Sequence, residues 1–308
     1  MNQDSPSLTP VSVVIPTRDR VDLLLECLES LVHQTHPPLE VIVVDDASNP
    51  YARSRLVDGV ERVKELINVS LILQSRRGPN GARNRGISEA SGNVLALLDD
   101  DAVTPETWLE KITEALSRYP GLNCVGGPLR PRYLGRLPRH CGREPKEASF
   151  DVGAEEQVTD HVLSANMAFT RDTFDTVGPF NEDVRIGGDE TEWEVRLQRR
   201  GGSVVYVPSA WVIHQRTAED LSIRRLVQSK FRRGQNFAAN ASYFGQRVSV
   251  FGGIARLLGP LGHAIRFFCW GGILDFIFRL GAVCETVTRL LAHDAKNLGW
   301  FPRRPDKR

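Results

Sequence analysis

Between residues 11 and 101 short apolar runs alternate with stretches of helical period, and any fold for this chain must satisfy that alternation. "VSVVIPT", "LEVIVVDD", "VSLILQ" and "NVLALLDDD" are short and rich in β-branched or aliphatic residues, as strands are. "RVDLLLECLESLV" and "YARSRLVDGVERVKELI" repeat apolar residues at helical spacing, and "RRGPNGARNRGISEA" reads as a glycine-containing loop running into a third helix. Strands separated by helices pair in parallel, so the predicted class is α/β: a mostly parallel central sheet with helices on both faces. Such sheets bind ligands outside the carboxyl ends of their strands.

Acids collect at that edge. Asp45 and Asp46 end one strand, and Asp99, Asp100 and Asp101 end another. Like charges at contact distance raise one another's pKa and cost stability, so the crowding asks for a reason. In an extended chain Asp99 and Asp101 point to one side and Asp100 away. Two carboxylates on one side make a hard oxygen site for a divalent cation, whose charge relieves the repulsion. The plain alternative is a solvated strand end beside a helix cap. A carboxylate such as Asp45 or Asp46 after a parallel strand can accept from a ribose hydroxyl or a base N–H.

In "RRGPNGARNRG", Arg76, Arg77, Arg83 and Arg85 are candidates for phosphate contact, or else solvated arginines beside a capping turn. The loop fits neither glycine-rich phosphate fingerprint, which disfavours dinucleotide-dependent dehydrogenases and P-loop enzymes. "GGDETEW" sets acids just before an apolar-periodic segment, where they serve as helix caps or as a general base for an alcohol. His214, after "SAWVI", is a core histidine or a metal ligand completed by the acids.

Composition narrows the partners. With 39 basic against 38 acidic side chains the formal charge is +1, which argues against a nucleic-acid-coating protein. The cysteines at 27, 124, 141, 269 and 284 have neither metal-like spacing nor a disulfide framework, and fit a reducing compartment. The polar start "MNQDSPSLTP" lacks the pattern of a secretory signal, so a cytoplasmic location is expected. Thr104 reads as the cap of a helix with Pro105 in its first turn, and the Arg-, Pro- and Gly-rich segment 130–158 as an irregular excursion.

Residues 1–220 are expected to form the main domain and 221–308 a helical extension. The extension becomes apolar and glycine-rich, but Arg266, Asp275 and Arg279 interrupt it, which disfavours a membrane span. It is read as helices docked on the protein's own core or on a second subunit, or lying in a bilayer interface.

Taken together, "VSVVIPTRDR", "VIVVDDAS", "GPNGARNRG", "LALLDDD", "SANMAFTRDTFDTVGPF", "GGDETEWEVRLQRRG" and "VPSAWVIH" resemble family 2 glycosyltransferases, inverting enzymes of GT-A fold. The resemblance covers roughly residues 11 to 214. It implies a nucleotide-sugar donor against Pro16 and Thr17, with Asp19, Asp45 and Asp46 close by and Arg76, Arg83 and Asn84 on the base and phosphate side. It puts Asp99 and Asp100 toward the donor, and Asp101 with His214, and Asp99 again, on Mn²⁺ or Mg²⁺. Asp19 reads equally as a cap for the first helix. The acceptor, a glycan, polysaccharide or lipid-linked hydroxyl, is expected near Gly188, Trp193 and Asn166. The family's usual Glu-then-Asp motif stands here as Asp189 then Glu190, which leaves two candidates for the base; Trp193 and Asn166 read equally as a core and a turn residue.

Cell-envelope polysaccharide assembly at the inner face of the membrane is the expected setting, and the extension, from its own residues, is expected to make peripheral membrane contact or a homo-oligomer. A sugar nucleotidyltransferase needs the same acids and cation but no glycosyl acceptor, and the separate acids near 189 favour transfer. A non-catalytic sugar-binding module has no reason to keep costly like-charge clusters.

Overall fold

The computed structural model describes residues 9–142, 149–184, 189–241 and 250–297. These form two compact units. The first holds the described residues up to Gly135, those from 149 to 184, and Asp189–Ala218; the second holds 136–142 and those from Glu219 onward.

The first unit opens as the alternation predicts: β1 (Val11–Thr17), α1 (Val21–Val32), β2 (Glu40–Asp46), α2 (Pro50–Val63), β3 (Val69–Gln74), α3 (Pro79–Glu89) and β4 (Val94–Leu98). β5 (Ala102–Val103), α4 (Trp108–Arg118), β6 (Asn123–Gly126), β7 (Leu129–Leu134), β8 (Gln157–Thr159) and β9 (Asn166–Thr170) follow. α5 (Arg171–Val177), α6 (Asp189–Arg199), β10 (Ser203–Tyr206) and β11 (Val212–Thr217) complete it.

Eight of these strands form one sheet in the order β3-β2-β1-β4-β9-β6-β10-β8. β1, β2, β3 and β4 pair in parallel, as do β6 and β10, whereas β9 runs antiparallel to both β4 and β6 and β8 antiparallel to β10. Side-chain alternation gives the sheet two buried faces. Val11, Val13 and Ile15 of β1 join Leu24, Leu28, Leu56, Trp108 and Ile112 from α1, α2 and α4 on one side. Val14 of β1, with Leu95 and Leu97 of β4, meets Ile87 of α3 and Trp193 and Leu197 of α6 on the other. Each such burial is worth about 1.5–3 kcal/mol. α3 sits unusually close to the sheet: a Cβ on Gly86 would lie 2.4 Å from Val14 Cγ1, so only glycine lets the helix approach.

Two local expectations change. α4 begins at Trp108, because Thr104 spends its hydroxyl on Ser30 and Gln34, 3.0 and 3.1 Å away, and caps no helix. Segment 130–158 is less irregular than its composition suggests. β7 lies there and pairs along its length with β11, β8 closes its end, and 143–148 fall outside the described residues. A second sheet, β5-β11-β7, results.

The second unit is helical: α7 (Ile223–Asn240), α8 (Val250–Ala255), α9 (Leu258–Phe267) and α10 (Trp270–Asn297). α7 and α10 cross with their backbones nearly touching. A Cβ on Gly234 would stand 1.8 Å from the Phe278 carbonyl oxygen, and one on Gly281 2.2 Å from that of Phe231. Phe237 and Phe278 fill the space beside the crossing, their centroids 5.8 Å apart. No helix among the described residues is long and apolar enough to cross a membrane.

Candidate active site

β4 ends at Leu98, and the three acids after it form a turn, closed by Ala102 N–H donating to the Asp99 carbonyl at 3.1 Å. Asp100 leaves the turn toward β1 and accepts from Thr17 Oγ1 at 2.8 Å. Asp99 and Asp101 come out on one side, as expected, but a turn rather than an extended strand puts them there. The small sheet supplies the third member. β5 pairs antiparallel with β11 so that Ala102 faces His214, and Gln215 N–H donates to the Asp101 carbonyl at 2.8 Å. Asp99, Asp101 and His214 thus offer ligand atoms all within 4.8 Å of one another.

Arginines surround these acids. Arg20 Nη1 donates to Asp101 Oδ2 at 2.8 Å and to Asp100 Oδ1 at 3.3 Å, Arg216 Nη1 donates to Asp101 Oδ2 at 2.9 Å, and Arg83 Nη2 donates to Asp99 Oδ1 at 3.3 Å. Burial raises the Asp100 carboxyl to about 7; Arg20 and the Thr17 hydroxyl oppose this, and Asp101 and Asp99 add to it. Burial would raise Asp101 too, but His214, Arg216 and Arg20 outweigh it and hold that carboxyl far below the usual range.

The donor set fits a divalent cation. His214 Nε2 stands 2.9 Å from Asp101 Oδ1 and 3.2 Å from Arg216 Nη2. Asp101 Oδ1 is buried and receives no well-formed hydrogen bond. A buried carboxylate oxygen beside an imidazole nitrogen suits a positive ion, and oxygen with imidazole suits Mn²⁺ or Mg²⁺. The Asp99 side chain, 31% exposed, opens the group to solvent.

The other expected residues divide. Thr17 and Arg83 join the acid group, and Pro16, opposite Val44, immediately precedes Thr17 on β1. Arg76 is exposed on the loop after β3. Asp45 and Asp46 build loops instead of facing outward: Asp45 accepts from Ser48 N–H at 3.0 Å and Arg53 Nε at 3.2 Å, and Asp46 from Gln74, Arg77 N–H and Gly78 N–H. Asp19 does not cap α1. It has φ 58° and accepts from Asn49 N–H and Nδ2, both at 2.8 Å, which ties the end of β1 to the start of α2. Asn84 uses both ends of its amide on Phe180.

On the expected acceptor side, Glu190 is buried in the first turn of α6. The side chain of Asp189 and all of Gly188 lie outside the described residues. Trp193 is a core residue and walls no open surface: it is wholly buried, its Nε1 donates to the Gly178 carbonyl at 2.8 Å, and its ring lies against Phe169 and Phe180. Asn166 is likewise wholly buried, accepting from Trp108 Nε1 at 2.8 Å and donating to the Ala210 carbonyl at 2.7 Å. Sequence reasoning missed Arg20 and Arg216. Arg216 had a signal, since it follows His214 by two on a strand and so shares its face; Arg20 follows β1 in a polar loop and had none.

A mixed sheet with helices on both faces and an acid–histidine group at the carboxyl edge of its parallel strands is the architecture of a GT-A fold. The model of the glycosyl transferase family 2 matches residues 12–178, more than half of the chain. The chain belongs to that family. It is 28% identical over 221 residues to the glucosyl-dolichyl phosphate glucuronosyltransferase of Haloferax volcanii, covering 67% of this chain and 69% of that protein. It is 29% identical over 218 residues to the succinoglycan biosynthesis protein ExoM of Rhizobium meliloti, covering 69% of each. Among solved structures it resembles a mannosyltransferase from Pyrobaculum calidifontis in complex with GDP-Man and Mn²⁺, with TM-score 0.60, 19% identity, and 94% of this chain and 77% of that one covered. GalNAc-T7 with UDP, GalNAc and Mn²⁺ gives TM-score 0.57 and 18% identity over 79% of this chain and 52% of that one. The chain thus spans about two thirds of those curated relatives and about half of GalNAc-T7.

Proposed function

We propose that this protein moves a sugar from a UDP, dTDP or GDP donor to a hydroxyl of a lipid-linked or polysaccharide acceptor, with inversion, in a single displacement. The observation that carries the reading is the meeting of Asp99, Asp101 and His214 at the end of β4. The names of the two relatives, one acting on a dolichyl-phosphate-linked sugar and one in polysaccharide biosynthesis, support the acceptor class.

Asp101 and His214, with Asp99, would hold Mn²⁺ or Mg²⁺, which when bound supplies positive charge for the departing diphosphate. Arg20, Arg83 and Arg216 add fixed donors around the same turn, and charge-assisted donors aimed at developing anionic oxygen are worth most where burial excludes water. Glu190 takes the proton of the acceptor hydroxyl as that oxygen attacks the anomeric carbon. The bond from that carbon to the diphosphate breaks, the electron pair leaves with the nucleoside diphosphate, and the configuration inverts. Asp189 remains the second candidate for the base.

The site of action is the cytoplasmic face of a membrane. Leu258, Leu261, Ile265 and Phe268 support this: they recur at intervals of three and four along and just past α9, and are 73%, 38%, 69% and 72% exposed.

A donor screen that measures nucleoside diphosphate release with and without chelator, with lipid-linked and polysaccharide acceptors, tests the reading. Asp101→Ala is expected to lower kcat by about 10²–10³-fold at saturating donor while the fold is kept, the range for losing one preorganised stabilising group. Near-normal turnover by Asp101→Ala, or release that chelator leaves untouched, would overturn it.

A further inference from the structure

The cysteine spacing suggests no metal site, yet folding brings two of the cysteines and a histidine together in the second unit. Cys141 lies in the segment 136–142, His263 on α9 and Cys269 in the turn between α9 and α10. Their ligand atoms all lie within 4.8 Å of one another, with Cys141 Sγ 3.3 Å from His263 Nε2. Around a tetrahedral ion with bonds of ~2.0–2.3 Å, ligand atoms stand ~3.3–3.8 Å apart, so little movement is needed.

The backbone is arranged around this group. Phe268 has φ 48°, a left-handed conformation that costs a residue with a side chain about 1–2 kcal/mol, and it turns the chain so that Cys269, 1% exposed, points inward. Cys141 N–H donates to Cys269 Sγ at 3.3 Å, the kind of outer hydrogen bond that metal thiolates receive. Trp270 N–H donates to the Arg139 carbonyl at 2.9 Å, holding the segment and the turn in register. His263 also lines an open depression with Arg256, Gly259, Pro260, Asp275 and Arg279.

We infer that Cys141, Cys269 and His263 form a zinc site, with solvent in the fourth position, that clamps the segment 136–142 to the α9–α10 turn. Two thiolates and an imidazole select a soft or borderline ion, and so distinguish this site from the oxygen-rich group at Asp101. Binding releases the thiol protons to solvent.

The full chain, purified under reducing conditions and titrated with Co²⁺, is expected to take up one equivalent that gives a sulfur-to-cobalt charge-transfer band and the strong visible bands of a tetrahedral centre, both removed by Zn²⁺. Cys141→Ser and Cys269→Ser should each abolish the charge-transfer signal or reduce it by half, and Cys284→Ser and Asp101→Asn should keep it. In the unaltered protein Zn²⁺ should shield Cys141 and Cys269 from alkylation while exposed Cys284 still reacts, a result that needs no variant to fold. Absence of thiolate bands, alkylation of both cysteines at the same rate with and without Zn²⁺, or a Cys141–Cys269 disulfide with no metal uptake after its reduction would each overturn the site.

Discussion

Glu190 and Glu194 stand one turn apart on α6, both buried, and their surroundings give them different work. Glu194 is wholly buried; its Oε1 accepts from Val162 N–H at 2.8 Å and its Oε2 has no partner. Burial raises this carboxyl from 4.5 to about 8, against the Val162 hydrogen bond, so at neutral pH it carries a proton. Between 4.5 and about 8 the folded state keeps a proton that the unfolded chain has lost, so stability is full below that window and falls as pH rises through it. Thermal melts across the window should show the Tm of the unaltered protein falling more steeply than that of Glu194→Gln; parallel curves would refute a neutral Glu194. For Glu190, a base in hydrogen-bond reach of the acceptor is worth about 10²–10⁴-fold. Glu190→Gln should therefore lose that much kcat while Asp189→Asn loses under tenfold, and the reverse order in steady-state kinetics would move the base to Asp189.

Among the elements, the α7–α10 crossing is the contact whose sign can be tested. An alanine normally favours a helix over glycine by about 1 kcal/mol. At Gly281, however, the added Cβ would meet the Phe231 carbonyl at 2.2 Å, too close to the backbone for a side chain to yield. Gly281→Ala should destabilise by about 1–3 kcal/mol, the cost of overpacking, read as earlier unfolding or faster proteolysis within 219–297. A stabilised variant would show that the helices can part freely. The three-stranded sheet is the element that matters most for chemistry, since without the β5–β11 pairing His214 would have no register with Asp101.

At the scale of the whole molecule, the exposed stripe on α9 decides whether the protein works at a surface. Replacing Leu258 and Ile265 together by serine in the full chain should lower co-flotation with anionic lipid vesicles several-fold and leave sugar transfer to a soluble acceptor unchanged. Undiminished flotation, or a light-scattering mass that halves on substitution, would assign the stripe to another surface or to a second copy of the chain.

Much of this was readable in the chain, because the first strands and helices are local patterns of side-chain polarity. Alternation of strand and helix sufficed for the parallel half of the sheet, for its two buried faces, and for acids at its carboxyl edge. The tertiary structure alone decided what those acids meet. A hydrogen-bonded turn divides Asp99 and Asp101 from Asp100, strand pairing brings His214 across more than a hundred residues, and packing draws Trp193 and Asn166 into the core. The same holds for Cys141 and Cys269, 128 positions apart. Local sequence sets the preference of each segment, but contact between distant segments depends on how their surfaces pack, and no short pattern encodes that.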